Sequence, residues 1–409
     1  MIYFRLGFKN VFRQRLRTLL ALAGIALSVA LVMIGTTFMA GVESLVFKEA
    51  LADSGEIVVA RRDYFERFRF NPLKYRLRDS AELRRRLLAV PGAEAAIERI
   101  DFGFLAEHDE RSLALPCRGL GVGQDDGVSK LRERLVAGRP LAPGGQEILL
   151  GLGAADELGV GVGDRVTAIG RTVHDSFTAD DFEVVGVFDL GNKIANRGAV
   201  MPLAAAQELL EMPGTVSKIL VTTGDYRRVD EVAARMRELV PELGSGDEIA
   251  VRPWTEDPFF AGVHGVISSV GWIVSVIICF VAGLGILNMM MVTVLERRKE
   301  MGALMALGMS RLGVMASFLW ESVAYGLAGG LLGLVLGIPA ALYLDRVGLE
   351  FRADEIQGIP FPISSTIHGD FGPRTLVLGL AIGVVLSILG TLGPVLKTFS
   401  MGPKDAMTR

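Results

Sequence analysis

Four long runs of apolar residues alternate with polar stretches along the chain. They extend over residues 18–42, 262–295, 312–344 and 375–396. About 20 consecutive apolar residues cross the core of a bilayer, so each run predicts a transmembrane α-helix. The second and third runs exceed 30 residues. As helices each would be about 45 Å long, and we expect both to project beyond the hydrocarbon.

The first run also fits a cleaved signal peptide, because five basic residues precede it. However, residues 18–42 contain no charge and no clear small-x-small site follows them. The run is also longer than the apolar region of a signal peptide. An uncleaved membrane anchor is therefore favoured.

The section between the first and second runs reads as a water-soluble domain of mixed α/β type, because short alternating runs and amphipathic runs follow each other. Strands are predicted at Glu56–Ala60, Glu147–Leu150, Arg165–Ile169, Phe182–Val187 and Lys218–Thr222. Helices are predicted at Ala81–Val90, Ala204–Leu210 and Val229–Leu239.

The distribution of Lys and Arg predicts the orientation. Twelve basic residues flank the ends on one side, whereas the loop Asp345–Pro373 carries only Arg346 and Arg352. Positive flanks stay in the cytoplasm, so both termini are expected there. The predicted segments are a cytoplasmic amphipathic helix (1–17), the first span (18–42), an extracytoplasmic α/β domain (43–261), the second span (262–295), a cytoplasmic helix (296–311), the third span (312–344), an extracytoplasmic loop (345–374), the fourth span (375–396) and a cytoplasmic tail (397–409).

Composition supports a membrane protein. Half of the 409 residues are hydrophobic and only 22% are charged, too little charge for the surface of an ordinary soluble protein. The net charge of -3 offers no basic field for nucleic acid. Two cysteines, one in a polar and one in an apolar region, argue against a disulfide framework and a CxxC metal site. The predicted fold is integral to the membrane, with four transmembrane α-helices and a large α/β extracytoplasmic domain between helices 1 and 2.

A short charged segment between the second and third runs predicts a docking helix. Its candidate residues are Glu296, Arg297, Arg298, Lys299, Glu300, Met301, Leu304 and Met305. The last three share one face at helical spacing, Gly308 suits the end of the helix, and Ser310 suits the N-cap of the third span. Such a helix either fits a groove in a partner or lies on lipid headgroups, and the spacing does not decide between them.

Small residues form stripes on the last two spans. They are Gly329, Gly333 and Gly337 on the third span and Gly379 and Gly383 on the fourth. Such stripes allow helices to approach closely, either within one subunit or between two. Glu321 also lies within the third span. A carboxylate is costly in lipid, so we expect a basic partner near the inner surface.

The segment Arg61–Arg78 combines aromatic and basic residues. Tyr64, Phe65, Phe68 and Phe70 are its candidates for contact with an amphiphile that carries an anionic headgroup. The alternative is a loop whose aromatic residues pack on their own domain. We find no catalytic motif, no metal-site motif and no Gly-x-x-x-x-Gly-Lys-Ser/Thr phosphate loop in the sequence.

An ordered set of short motifs resembles one membrane-protein family. The motifs begin with NVFRQRLRTLL at Asn10–Leu20 and continue with Gly138–Leu141, Val162–Asp164, ERRKEMG at Glu296–Gly302, Ala306–Gly308, Trp320–Ser322 and Gly329–Gly333. This set is similar to the FtsX-like permeases of ABC transporters, the type VII or mechanotransmission group, which includes MacB-type exporters and lipoprotein-releasing permeases. Only the tail departs from the pattern, because Arg409 is displaced by one position.

The resemblance implies a permease without catalytic residues or a directly bound cofactor. Two separate ABC ATPase subunits would use ATP and Mg²⁺, and 296–308 would be the coupling helix. The permease would pair with a second copy or a paralogue in the bacterial inner membrane, and handle a lipoprotein, lipid or hydrophobic compound at its outer face. The alternatives are an efflux permease with a periplasmic adaptor, or an FtsX-like regulator of a cell-wall hydrolase.

Overall fold

The computed structural model describes residues 15–67, 72–124, 131–191, 195–239, 249–350 and 366–399. The chain forms two units. The membrane unit comprises Met1–Leu45, Val266–Phe351 and Thr366–Arg409, and the inserted unit comprises Val46–Gly265 with Arg352–Ser365.

The elements follow in chain order. They are α1 (Arg15–Ser54), β1 (Ile57–Arg61), α2 (Arg62–Arg67), α3 (Ser80–Leu88), β2 (Ala95–His108), β3 (Arg111–Leu120), β4 (Leu135–Gly138), β5 (Glu147–Gly151), α4 (Leu152–Leu158), β6 (Arg165–Arg171), β7 (Phe177–Phe188), β8 (Ala199–Pro202), α5 (Leu203–Leu209), β9 (Lys218–Thr222), α6 (Val229–Leu239), β10 (Ile249–Pro253), α7 (Pro258–Glu296), α8 (Arg298–Ala306), α9 (Arg311–Arg346), β11 (Leu349–Glu350), β12 (Thr366–Ile367) and α10 (Pro373–Phe399).

Four helices among the described residues are long and apolar enough to span a membrane. These candidate spans are Thr18–Phe47, Pro258–Glu296, Arg311–Arg346 and Pro373–Leu396, and each contains the whole of one predicted apolar run. At 39 residues α7 is about 58 Å long, which exceeds the bilayer core as expected. α1 is as long, with 40 residues, although its apolar run did not predict this. Residues 1–14 of the predicted amphipathic helix and 400–409 of the tail lie outside the described residues.

Local sequence explains where the long helices begin and end. Pro258 occupies the first turn of α7, and the carboxylate of Asp257 accepts hydrogen bonds from the backbone N–H groups of Phe259 (3.0 Å) and Phe260 (3.3 Å). Ser310 caps α9 by accepting from the N–H of Gly313 at 3.2 Å. The predicted N-cap at Ser310 is therefore confirmed.

The core of the membrane unit is built around α1. Its fully buried side chains Ile25, Val29 and Met33 pack with residues of α7 and α9. α7 leaves many apolar side chains exposed, Trp272 and Phe280 among them. A helix with such a surface suits lipid or a second protein chain rather than water.

The inserted unit contains a ten-stranded sheet with the order β10-β1-β9-β2-β3-β8-β5-β7-β4. β6 pairs with both β2 and β7. Strands β2, β3, β8, β5, β7 and β6 therefore close into a hydrogen-bonded ring, which removes most exposed edges. This arrangement confirms the predicted α/β domain between the first two spans.

Candidate functional site

The short helix α8 lies between the two longest apolar helices that follow the inserted unit. α7 ends at Glu296, Arg297 breaks the helical path with φ -100° and ψ 15°, and α8 begins at Arg298. At its other end Gly308 adopts φ +91°, a conformation that glycine reaches without strain. The predicted helix stop at Gly308 is thus confirmed.

Arg297 connects three elements through charge. Its Nε donates to the Glu300 carboxylate at 2.8 Å, and its Nη1 donates to the Glu321 carboxylate on α9. The guanidinium also lies 5.7 Å from the ring centre of Phe318. Glu321 is only 5% exposed, so its charge would be costly without this partner. The expected basic partner of Glu321 is therefore confirmed as Arg297.

The apolar face of α8 packs against its own chain. Met301 is fully buried in a cluster with Val294, Val314, Phe318 and Val395. Leu304 and Met305 are partly buried against the same cluster. Met301 therefore packs inside its own chain, whereas a role of Leu304 and Met305 in contact with a partner stays a prediction.

The opposite face of α8 is exposed and mixed in character. It carries Lys299, Glu300 and Ala303 and continues into Leu307, which is 85% exposed. Leu312, at the start of α9, is 72% exposed. Glu296 is also exposed, and the side chain of Arg298 lies outside what the structure describes. The exposed residues Lys299, Glu300, Ala303, Leu307 and Leu312 form the candidate docking face.

The glycine stripes pack within one chain against α1. Gly329 lies against Ile25, whereas Gly333 and Gly383 lie against Val29, and Gly337 and Gly379 against Met33. A Cβ at position 333 would be 2.7 Å from the Cβ of Val29 and 2.8 Å from the carbonyl oxygen of Ala26. Of the two alternatives left open by the sequence, the structure thus shows the contacts within a subunit.

The aromatic residues Tyr64 and Phe65 pack on their own domain, and Tyr64 also lines a cleft. Tyr64 is buried and lines a cleft of the inserted unit. Phe65 is half-buried, with its ring 5.8 Å from that of Tyr64 and 4.1 Å from the guanidinium of Arg252. Phe68 and Phe70 lie outside the described residues.

Two family models match this chain, each over a different part of its length. Residues 18–239 match the MacB-like periplasmic core domain, and residues 272–403 match the FtsX-like permease C-terminal domain. The first match alone covers more than half of the chain.

The chain belongs to the family defined by the MacB-like periplasmic core domain, and it carries an FtsX-like permease C-terminal domain.

Similar proteins include components of lipoprotein-releasing systems. The lipoprotein-releasing system transmembrane protein LolC of Neisseria meningitidis serogroup B is 26% identical over 99% of this chain and 97% of its own length. LolE of Haemophilus influenzae is 24% identical over 94% of this chain and 92% of its own. The pyoverdine export ATP-binding/permease protein PvdT of Pseudomonas savastanoi is 29% identical over 43% of this chain and 28% of its own.

These matches make the chain an ABC transporter permease. The FtsX-like match contains α8, Arg297 and Glu321, and the candidate docking face therefore lies in the permease part of the chain.

Proposed function

We propose that this chain is the permease subunit of an ATP-driven ABC transporter that handles a lipoprotein, lipid or hydrophobic compound at the outer face of the bacterial inner membrane. The observation that carries the proposal is the attachment of α8 to α7 and α9. The names of the LolC and LolE relatives, which match nearly the whole chain, support a lipoprotein as cargo.

The proposed partners are those expected of an ABC transporter permease. Two ABC ATPase subunits would bind ATP and Mg²⁺ and hydrolyse the nucleotide. A second permease copy or a paralogue would complete the transporter, and a periplasmic adaptor or acceptor would receive the cargo. Both termini and α8 would face the cytoplasm, as the flanking Lys and Arg indicate.

The attachment of α8 offers a path for mechanical work. Its apolar face and Arg297 fix it to α7 and α9, so a push on the exposed docking face moves both helices together. An α-helix of 39 residues whose backbone hydrogen bonds are internal transmits displacement along its axis. ATP-driven closure of the partner ATPases would thus drive α7, without passage of the cargo through the membrane.

The docking face is tested by one charge substitution. Leu307→Asp places a charge at an exposed apolar position without disturbing the buried cluster. If Leu307 is an anchor of the interface, its loss should weaken ATPase binding about tenfold or more. The measurement is the vanadate-sensitive ATP hydrolysis that co-purifies with tagged full-length protein from native membranes.

Val162→Asp is the matched control, because Val162 is 48% exposed in the inserted unit and should leave co-purified ATP hydrolysis unchanged. Equal ATP hydrolysis with the Leu307→Asp variant and the unaltered protein would contradict the docking role. Absence of any co-purified ATPase with the unaltered protein would contradict the proposed function itself.

A further inference from the structure

The helix α7 has two different faces within the membrane unit. Ala282, Ile286, Met290 and Val294 are buried and form the side of α7 that packs on its own chain. The opposite side carries exposed residues at steps of three and four, which places them along one face of the helix. These residues are Ile273, Ile277, Phe280, Leu284, Asn288, Met291 and Leu295, and we call them the α7 stripe.

The α7 stripe is apolar except at Asn288. A rise of 1.5 Å per residue places Asn288 about 12 Å from Glu296, the charged end of the helix that leads into α8. This depth lies within the hydrocarbon of a bilayer about 30 Å thick. A carboxamide without hydrogen-bond partners is costly there, and its side chain is too short to reach the headgroups as Lys or Arg can.

Two hydroxyl groups of the same helix avoid this cost locally. Ser275 Oγ donates to the carbonyl oxygen of Gly271 at 2.7 Å, and Thr293 Oγ1 donates to that of Met289 at 2.9 Å. The amide of Asn288, by contrast, has no hydrogen-bond partner among the residues that the structure describes. An exposed amide at this depth therefore needs a partner that the described part of the chain does not supply.

A second copy of the chain supplies such a partner at the same depth. A carboxamide carries both N–H donors and a carbonyl acceptor, so two asparagines can satisfy each other. Two copies of one sequence insert in the same orientation, because the same flanking charges determine it. A two-fold axis along the membrane normal then brings Asn288 of one copy opposite Asn288 of the other. Lipid tails offer no such hydrogen bond.

We propose that the α7 stripe is the surface on which a second copy of this chain packs, with the two Asn288 amides hydrogen-bonded across the interface. Polar pairs of this kind associate transmembrane helices and fix their register. The glycine stripes of α9 and α10 are occupied by α1 of their own chain, so they do not compete for this role. The inference rests on the proposed function, in which a second permease completes the transporter, and it assigns that place to a second copy.

Disulfide cross-linking locates the contact. Leu284→Cys is introduced into the full-length protein in a Cys279→Ser background and oxidised with copper phenanthroline in lipid vesicles. A disulfide requires the two Cα atoms to lie within about 7 Å, so we expect a covalent dimer. The control is Val335→Cys, which is exposed on α9 and should give no dimer. Both positions lie about 20 Å along their helices from the Arg297–Glu321 pair, so they are matched in depth.

Substitution of Asn288 tests the amide. Energy transfer between labelled copies in vesicles, measured at increasing lipid dilution, gives the dissociation constant of the dimer. Asn288→Leu should raise this constant about fivefold, since one interhelical hydrogen bond in a membrane contributes modestly. Asn288→Gln keeps an amide and should restore most of the affinity. Thr293→Val removes a hydroxyl that is satisfied within α7 and should leave the constant unchanged.

Two results would overturn the proposal. If Leu284→Cys gives no more dimer than Val335→Cys, the α7 stripe faces lipid or another protein. If Asn288→Leu dissociates no more readily than Thr293→Val, the amide does not pair across an interface. Both experiments use the permease without an ATPase, so such a failure leaves the proposed transport function standing, to be judged by Leu307→Asp.

Discussion

The buried pair of Arg297 and Glu321 is the point at which α7, α8 and α9 meet. Taking two charges out of water costs free energy that only good geometry and further hydrogen bonds return. Arg297 meets this requirement, because it also donates to Glu300 and lies over Phe318. Removal of one partner would leave the other charge buried and uncompensated.

Glu321→Gln should therefore destabilise the protein. Loss of a partner from a buried ion pair costs about 3–5 kcal/mol, and we expect the neutral amide, which still accepts a hydrogen bond, to cost about 3 kcal/mol. The measurement is the thermal midpoint of the purified full-length protein in detergent.

The same arginine supplies the control. Glu300 is an exposed partner of Arg297, and exposed ion pairs contribute about 0–1 kcal/mol. Glu300→Gln should therefore shift the midpoint little. Equal thermal midpoints for Glu300→Gln and Glu321→Gln would show that the buried pair does not stabilise the packing of α7, α8 and α9.

At the scale of elements, the helix packing of the membrane unit depends on glycine. α9 and α10 both approach α1 through positions without a Cβ, and close approach allows extensive van der Waals contact where lipid supplies no hydrophobic driving force. Because backbone atoms of α1 lie opposite Gly333, the neighbours there cannot move aside cheaply.

Gly333→Ala should lower stability by about 1–3 kcal/mol, the usual cost of overpacking. Gly271 on α7 has open space around its Cβ position. Gly271→Ala should be neutral or stabilising by up to about 1 kcal/mol, because alanine favours helix. Midpoints from detergent thermal scans compare the two. A Gly333→Ala protein as stable as Gly271→Ala would refute the close packing of α1 and α9.

The positions of the four spans and the residues at two helix ends were accessible from sequence, whereas the facing of elements was not. Composition and capping predicted the four spans, Gly308 and Ser310, because these signals are local. The 3.6-residue period identified Met301, Leu304 and Met305 as one apolar face, but a period cannot tell whether that face meets its own chain or a partner. The glycine stripes likewise did not show whether they pack within one subunit or between two.

The strands of the inserted unit show a second limit of prediction from sequence. β2 and β3 were missed, and in β2 residues such as Glu98, Arg99 and Asp101 interrupt the apolar alternation. Those charges are accommodated by ion pairs with residues distant in sequence, such as Lys218. The cleft follows from these non-local pairings, so sequence indicated only Tyr64 among its lining residues.

At the scale of the whole molecule, the account depends on α7 as a continuous helix. In the proposed function, force applied at α8 would enter one end of α7, whose other end is capped at Asp257–Pro258. A break in this helix should abolish movement of the inserted unit while ATP hydrolysis continues. Val266, 65% exposed on α7, is a suitable position, because proline there costs about 3 kcal/mol or more of helix stability.

The most direct measurement is a spin-label distance between the inserted units of two permease copies, with the label at Val162→Cys in a Cys279→Ser background. In the complex with the proposed ATPase partner, we predict a shift of several ångströms upon ATP and vanadate addition for the control Val266→Ala. For Val266→Pro we predict no shift while ATP hydrolysis persists. An equal shift in both variants would contradict transmission through α7.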